Sequence, residues 1–278
     1  DPQLMMIPVD DHQVHRGDAV FEALKTVNGQ IYLAKEHLDR LDRSGAAIFL
    51  QNPFPRRRMA EILTETLRAS GLKDAVLRVF LGRGPGSFST NPYETVGAQV
   101  HVIARELKPF SEAKVQSGVS MILSKVPAKE SWLAQIKSCN YLVNVLMKKE
   151  AVDAGVDFTV GVDAHGFLTE GSTENLILFS KDGKLLRPKK PGILAGTTML
   201  KVFELSEKLP GVKSREEKDL NLKDLLDANE VMMVGTTLDV LPVTRYDGKP
   251  IGGGTQGSVA KTLRALLLED QTRPASFE

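Results

Sequence analysis

Tight-turn signals between short apolar runs occur in both halves of the chain, and they constrain its fold more than any other feature. Asn28-Gly29 separates an alternating segment that ends at Val27 from the returning QIYL, and this dipeptide is typical of a two-residue β-hairpin turn. Ala164-His165-Gly166 and Lys181-Asp182-Gly183 separate two further pairs of apolar runs. The sequence therefore predicts several β-hairpins.

Apolar residues at helical spacing lie between these strand signals. The predicted helices cover residues 35–48, 55–70, 141–154, 197–208, 222–227 and 258–270. The predicted strands cover residues 75–81, 98–104, 117–125, 158–163, 167–169, 175–180, 184–187, 230–234 and 239–246. Hairpins interspersed with helices predict an α+β protein of two unequal domains.

A polar stretch marks the expected boundary between the two domains. Residues 106–116 have no hydrophobic period and contain Pro109, as is typical of an interdomain connection. We expect a small N-terminal domain over residues 1–108, a linker over 109–116 and a larger C-terminal domain over 117–278.

The charge and hydropathy of the chain argue against nucleic acid and membrane partners. Lys and Arg total 36 against 35 for Asp and Glu, so no basic excess favours nucleic acid or an anionic membrane. No apolar run approaches the roughly 18 residues of a membrane-spanning helix. The acidic start, DPQLMMIPVDD, does not fit a signal peptide.

The cysteine and histidine content narrows the classes of site. Cys139 is the single cysteine, so no internal disulfide forms and we expect a reducing, cytoplasmic-type compartment. The five histidines are scattered and no HExxH or paired CxxC occurs. We therefore expect no metal site.

A set of residues fits the needs of pyridoxal phosphate, which are a lysine for a Schiff base, an acid beside the pyridine nitrogen and an anion cup. Lys137 follows apolar residues and precedes an apolar helix, and Glu170 lies in a Thr-Glu-Gly-Ser turn. The tripeptide Gly-Thr-Thr occurs at 196–198 and again at 235–237. The first copy opens a helix, whose N-terminus suits a phosphate. Each residue alone is more often an ordinary surface, turn or capping residue.

Six segments, in order along the chain, carry a resemblance to a known family. They are HRGDAVFEAL at 15–24, EHLDRLDRSG at 36–45, IKSCNYL at 136–142, LTEGSTENLIL at 168–178, GILAGTT at 192–198 and EVMMVGTTLDVLPV at 230–243. With them the chain resembles the class IV, fold-type IV pyridoxal-phosphate enzymes, which include branched-chain and D-amino-acid aminotransferases and aminodeoxychorismate lyases. The resemblance implies a small N-terminal α/β domain and a larger, β-barrel-like C-terminal domain with helices.

The resemblance also implies residue roles. Lys137 would form the Schiff base and transfer protons, Glu170 would pair with the pyridine nitrogen, and Arg40 would bind the phosphate. The other implied cofactor contacts are Tyr141 at the phenolic oxygen, Leu194 on the ring face, and Thr197, Thr198 and Thr236 at the phosphate. The backbone of Thr237 would face the substrate carboxylate. The implied activity is ping-pong transamination between an amino acid and a 2-oxo acid by a homodimer.

The substrate is less sharply indicated. Tyr141, Phe21 and the Ser-Thr-Asn-Pro sequence at 89–92 resemble the branched-chain group, which we take as the leading interpretation. Lys25 and Ala23 depart from that group. Arg83, in the loop after strand 75–81, or Arg78 on that strand, would instead suit the carboxylate-binding arginine of D-amino-acid enzymes. A pyruvate-releasing lyase remains a further alternative.

Overall fold

The computed structural model describes residues 5–129, 131–273 and 276–277, so the first four residues of the acidic start segment lie outside it. The chain divides into two units. The small unit comprises the chain up to Leu107, residues 136–141 and the part from Thr272 onward, and the large unit comprises Lys108–Gln135 and Leu142–Gln271. The predicted ranges had placed residues 136–141 in the large domain, and helix Glu112–Ser117 begins inside the predicted linker.

The small unit is built on a four-stranded antiparallel sheet. Its helices are α1 (His12–Arg16), α2 (Ala34–Ala47) and α3 (Arg56–Ser70), and its strands are β1 (Ala19–Val27), β2 (Gln30–Ile31), β3 (Ala75–Gly82) and β4 (Gln99–Glu106). The strand order is β2-β1-β3-β4. The core of this unit includes Leu24, Leu38 and Leu63, from β1, α2 and α3, as expected for amphipathic helices beside a half-buried sheet.

The predicted hairpin over Asn28-Gly29 is confirmed. Val27 pairs with Gln30, and the two turn residues have φ angles of 51° and 79°. Positive φ at both central positions is the type I′ geometry, which matches the twist of the flanking strands. The turn fixes the register in which β1 leaves β2.

Residues 136–141 extend the small unit beside β1. The Phe21 amide donates to the Lys137 carbonyl at 2.9 Å, and the Cys139 amide donates to the Ala19 carbonyl at 2.8 Å. Ser138 forms an isolated antiparallel bridge with Val20. These backbone bonds explain why the segment belongs to the small unit although it lies far along the chain.

The large unit is built on an eight-stranded mixed sheet. Its helices are α4 (Glu112–Ser117), α5 (Ser131–Ala134), α6 (Leu142–Asp153), α7 (Thr197–Leu205), α8 (Leu222–Asp227) and α9 (Ser258–Asp270). Its strands are β5 (Val119–Leu123), β6 (Phe158–Val160), β7 (Asn175–Phe179), β8 (Lys184–Pro188), β9 (Ser214–Lys218), β10 (Glu230–Gly235), β11 (Asp239–Tyr246) and β12 (Lys249–Pro250). The order is β6-β5-β11-β10-β7-β8-β9, with β12 beside β11.

Two local predictions differ from the structure. Beyond Val160 the predicted hairpin over 164–166 keeps only an isolated bridge between Val162 and Leu168. Strand β9, with the sequence SREEK, was not predicted because it lacks an apolar face. It pairs in parallel with β8 at the end of the sheet, where one strand edge has no neighbour and polar side chains are favoured.

The fold-type IV, two-domain α+β class is confirmed by these two units together with the structural comparisons given below. Among the described residues, the helices are all too short or too polar to cross a membrane.

Candidate active site

Lys137 is held in the small unit by its backbone. Its amide donates to Ser44 Oγ on α2 at 3.2 Å, while its carbonyl accepts from β1. Its Nζ lies 4.7 Å from the centre of the Phe21 ring, within the range of a cation–π contact. The amine is therefore presented on a fixed backbone beside an aromatic face.

Three aromatic rings form a cluster at this lysine. The Phe21 ring stacks on Phe80 at 5.9 Å and meets the edge of Tyr141 at 5.2 Å. Phe21 is 8% exposed. The wall beside the Lys137 amine is consequently apolar, with the Tyr141 ring as part of it.

Arg40 is engaged by a buried glutamate that the sequence analysis missed. Arg40 Nε and Nη2 donate to the two carboxylate oxygens of Glu22 at 2.7 and 2.8 Å. His37 Nδ1 lies 2.7 Å from Glu22 Oε2. All three residues are at most 5% exposed, so Arg40 is a preorganised cation whose charge is balanced from β1.

The protonation states of this triad follow from burial and charge. Burial alone raises the pKa of Glu22, but the charges and hydrogen bonds of Arg40 and His37 outweigh it and hold that pKa well below its ordinary value. Burial lowers the pKa of His37, Glu22 opposes this effect, and the positive charges of Arg40 and Lys137 reinforce it. His37 is therefore a neutral donor to an ionised Glu22.

The two candidate substrate arginines differ in their surroundings. Arg83 donates through Nε and Nη2 to both Asp18 carboxylate oxygens at 2.9 and 3.0 Å, and also to the carbonyls of Ile48 and Phe49. These contacts favour a structural role for Arg83. Arg78 is exposed on β3, on the same sheet face as Phe80 because alternate strand residues point the same way.

Glu170 is oriented by two donors within the large unit. Its Oε2 accepts from Asn175 Nδ2 at 3.2 Å and from the Leu194 amide at 3.0 Å. Asn175 Nδ2 also donates to the Leu194 carbonyl at 3.0 Å. Asn175 was missed in the sequence, although it stands in the LTEGSTENLIL segment. It ties the Glu170 turn to the GILAGTT loop.

The first Gly-Thr-Thr opens α7 as predicted. Gly196 is the N-cap with φ −65° and ψ 128°, and Thr197 and Thr198 are each 5% exposed. A Cβ at Gly196 would lie 1.8 Å from Asn175 Oδ1, so only glycine fits there. The N–H groups of the first helical turn and the threonine hydroxyls form an anion-binding arrangement.

The second Gly-Thr-Thr lies in the same corner of the large unit. Asn175 pairs with Val234 across β7 and β10, and Gly235 ends β10, where the turn to β11 begins. Thr236 is half-buried and Thr237 is exposed. The register thus brings Thr236 to the strand end beside Asn175, which itself contacts Gly196.

The side chains of the large unit fit one end of pyridoxal phosphate. A carboxylate fixed by two N–H donors suits a protonated pyridine nitrogen, and a helix N-terminus with a close glycine suits the phosphate. The small unit separately offers a lysine on an aromatic wall and a preorganised arginine. Within the described residues no cluster of potential metal ligands occurs.

Comparison with known proteins agrees with this chemistry. The profile of the class IV amino-transferases matches residues 19–246. A chloroplastic D-amino-acid transaminase of Arabidopsis thaliana is 35% identical over 97% of this chain and 73% of its own length. A putative branched-chain-amino-acid aminotransferase of Methanocaldococcus jannaschii is 30% identical over 96% of this chain and 92% of its own.

A solved structure gives the same result for the fold. A branched-chain amino acid aminotransferase from the organism abbreviated T.th., solved with pyridoxamine 5′-phosphate, superposes with a TM-score of 0.91 at 30% identity. The match covers 98% of this chain and 92% of that one. The profile match, the two relatives and this superposition show that the chain belongs to the class IV family of pyridoxal-phosphate-dependent aminotransferases.

Proposed function

We propose that this enzyme moves the amino group of a branched-chain-like amino acid to a 2-oxo acid. The observation that carries the proposal is the aromatic cluster of Phe21, Phe80 and Tyr141 beside Lys137. An apolar wall next to the reactive amine favours an aliphatic substrate side chain, because its burial is stabilising and a charge would be desolvated.

Each proposed role follows from a contact. Bound pyridoxal phosphate supplies an aldehyde and an electron-accepting ring. Lys137 attaches the cofactor and, once released, takes the proton from the substrate Cα. Glu170 holds the pyridine nitrogen protonated, and Leu194, whose amide binds Glu170, lies at the ring face.

The phosphate and carboxylate roles complete the proposal. Thr197, Thr198, Thr236 and Arg40 bind the phosphate. The exposed Arg78 and the backbone of Thr237 bind the substrate carboxylate, while Phe21 shapes the side-chain pocket. Arg83 is left out of the substrate site because four hydrogen bonds already occupy its guanidinium.

The test is a panel of L- and D-amino acids, each mixed with the enzyme and scored by the change in cofactor absorbance. Turnover of L-leucine, L-isoleucine and L-valine with a 2-oxo acid acceptor supports the proposal. Loss of that turnover in Lys137→Ala, with the exposed Lys125→Ala as the matched control, would tie it to Lys137. If Lys137→Ala transaminates at the rate of Lys125→Ala, the assignment fails.

D-amino-acid transamination is the second candidate, favoured by the 35% identity to the Arabidopsis D-amino-acid transaminase. The same panel separates the two, because a D-specific enzyme would convert D-alanine and leave L-leucine untouched. Pyruvate release from aminodeoxychorismate without any oxo-acid acceptor would instead identify a lyase.

We further propose a homodimer in a reducing, cytoplasmic-type compartment. The family resemblance supports the first and the single cysteine, Cys139, supports the second. Light scattering of the purified enzyme would measure a mass of about twice 30.4 kDa if the dimer forms, and a monomer mass would refute it.

A further inference from the structure

A small cavity adjoins Glu170 inside the large unit. Lys129, Asn144, Thr169 and Glu170 are among the residues that line it, and its volume is about 10 Å³. A space of this size holds about one water molecule. It is separate from the hydrogen bonds that Asn175 and Leu194 make to Glu170.

Two polar atoms on the cavity wall lack a partner. Asn144 Oδ1 and Thr169 Oγ1 are buried without a hydrogen bond to any described residue, and the two residues are 8% and 3% exposed. Asn144 is meanwhile oriented by Nδ2, which donates to the Ser172 carbonyl. Buried polar atoms of this kind are normally satisfied, often by an ordered water.

Lys129 brings a positive charge to the same wall. Its burial lowers its pKa, whereas the nearby Glu170 carboxylate raises it. The two side chains thus line one cavity with opposite charges. A cation beside a carboxylate favours the ionised form over the protonated one, and the effect strengthens where water is excluded.

We propose that Lys129 is a positioning residue for Glu170. Its ammonium group, together with one water molecule bound by Asn144 and Thr169, keeps the carboxylate ionised, so that the shared proton stays on the pyridine nitrogen. This inference rests on the proposed role of Glu170 in cofactor binding. The expected consequence is a more strongly electron-accepting ring.

The physical argument compares two positions of that proton. With the proton on the ring nitrogen, Glu170 is negative and is stabilised by Lys129. With the proton on Glu170, both partners are neutral and Lys129 stabilises neither. Because the cavity places Lys129 beside the carboxylate, its attraction to the carboxylate exceeds its repulsion of the more distant ring.

The test uses the enzyme reconstituted with pyridoxal phosphate that carries ¹⁵N in its ring. The ¹⁵N chemical shift reports the protonation of the ring nitrogen directly. In Lys129→Met at pH 7, we expect the resonance to move toward the unprotonated value and kcat to fall about tenfold, as for a change of one pKa unit, with KM little changed. Lys129→Arg retains the charge and should restore both.

The matched control is Lys125→Met, which removes an exposed lysine from the same loop and should behave as the unaltered enzyme. If Lys129→Met does not fold, Lys129→Gln removes the charge while keeping a polar chain. A ¹⁵N shift equal to that of Lys125→Met, or a Lys129→Arg variant as impaired as Lys129→Met, would overturn the proposal.

The ¹⁵N measurement needs bound cofactor but no substrate. An enzyme that converts none of the amino acids in the panel would refute the proposed function. The role of Lys129 would still be decided by the position of the ring-nitrogen resonance.

Discussion

Glu22 on β1 and Arg40 on α2 form a buried, two-pronged ion pair with N–O distances of 2.7 and 2.8 Å. Glu22 is 0% exposed and Arg40 is 5% exposed. The pair joins the sheet of the small unit to its first long helix, and it holds the guanidinium that is proposed to bind phosphate.

Glu22→Gln should destabilise the apoprotein strongly, because Arg40 would be left buried without a counter-charge. Removing one member of a buried pair typically costs about 3–5 kcal/mol of unfolding free energy. The double variant Glu22→Gln with Arg40→Met should recover part of that loss. Urea unfolding of both variants measures the difference, and a double variant no more stable than Glu22→Gln would contradict the expectation.

The stability of the protein should fall on mild acidification because of His37. Its pKa is lowered from 6.5 in the folded protein, so below pH 6.5 the unfolded chain binds a proton that the folded state refuses. Stability is therefore fully present above that pH and is lost as the pH decreases, by up to about 1.4 kcal/mol per pH unit.

The measurement is urea unfolding between pH 8 and pH 5.5. His37→Gln should flatten the pH dependence, whereas His165→Gln, at an exposed position, should leave its slope unchanged. Equal slopes in His37→Gln and the unaltered protein would show that His37 does not refuse the proton.

Gly196→Ala should weaken cofactor binding at the start of α7. The new Cβ would lie 1.8 Å from Asn175 Oδ1, so Asn175 must move and release Glu170 or the Leu194 carbonyl. Losing one hydrogen bond to a charged group costs about 1.5–3 kcal/mol, which is roughly a tenfold to hundredfold rise in the Kd of pyridoxal phosphate.

Gly211→Ala is the control, because a Cβ there meets no atom within 4 Å. Titration of the apoprotein with pyridoxal phosphate gives both dissociation constants. Comparable values for the two alanine variants would mean that the close approach of Gly196 to Asn175 has no bearing on the cofactor.

Arg78 and Arg83 should respond differently to replacement by glutamine. Arg78→Gln should raise KM for both amino acid and 2-oxo acid about tenfold or more and leave the melting temperature unchanged, since its side chain is exposed. Arg83→Gln should lower the melting temperature, by about 2–4 °C for each kcal/mol lost, because Asp18 and two carbonyls lose their donor.

Steady-state kinetics and thermal melts on the two variants provide the data. A higher KM in Arg83→Gln without any change in melting temperature would reverse the two roles.

Local pattern was enough to predict most elements. Helix α9 and strand β11 begin and end where the sequence predicts, because their apolar periods are regular and glycine or turn residues flank them. Strand β9 escaped prediction because an edge strand with the sequence SREEK has no such period. Residues 136–141 were assigned to the large unit because a backbone pairing with β1 leaves no local signal.

Individual site residues depended on family motifs, and their partners did not follow from them. Lys137 and Glu170 stand in segments that the family shares. Glu22 could be found only from its position opposite Arg40, which is 18 residues away in the sequence. Its signal was a charged residue at a strand position that the structure buries completely. Such a residue requires a distant partner.

The backbone bonds between β1 and residues 136–141 also limit how the chain can be divided. Ile136, which is 4% exposed, is part of the core of the small unit, although about thirty residues of the large unit precede it in the chain. A gene fragment ending at the polar stretch after Leu107 would encode a sheet without this neighbour and a core without this side chain. The two units are therefore not exchangeable modules, and a chimera between two enzymes of this kind must exchange residues 136–141 together with the N-terminal segment.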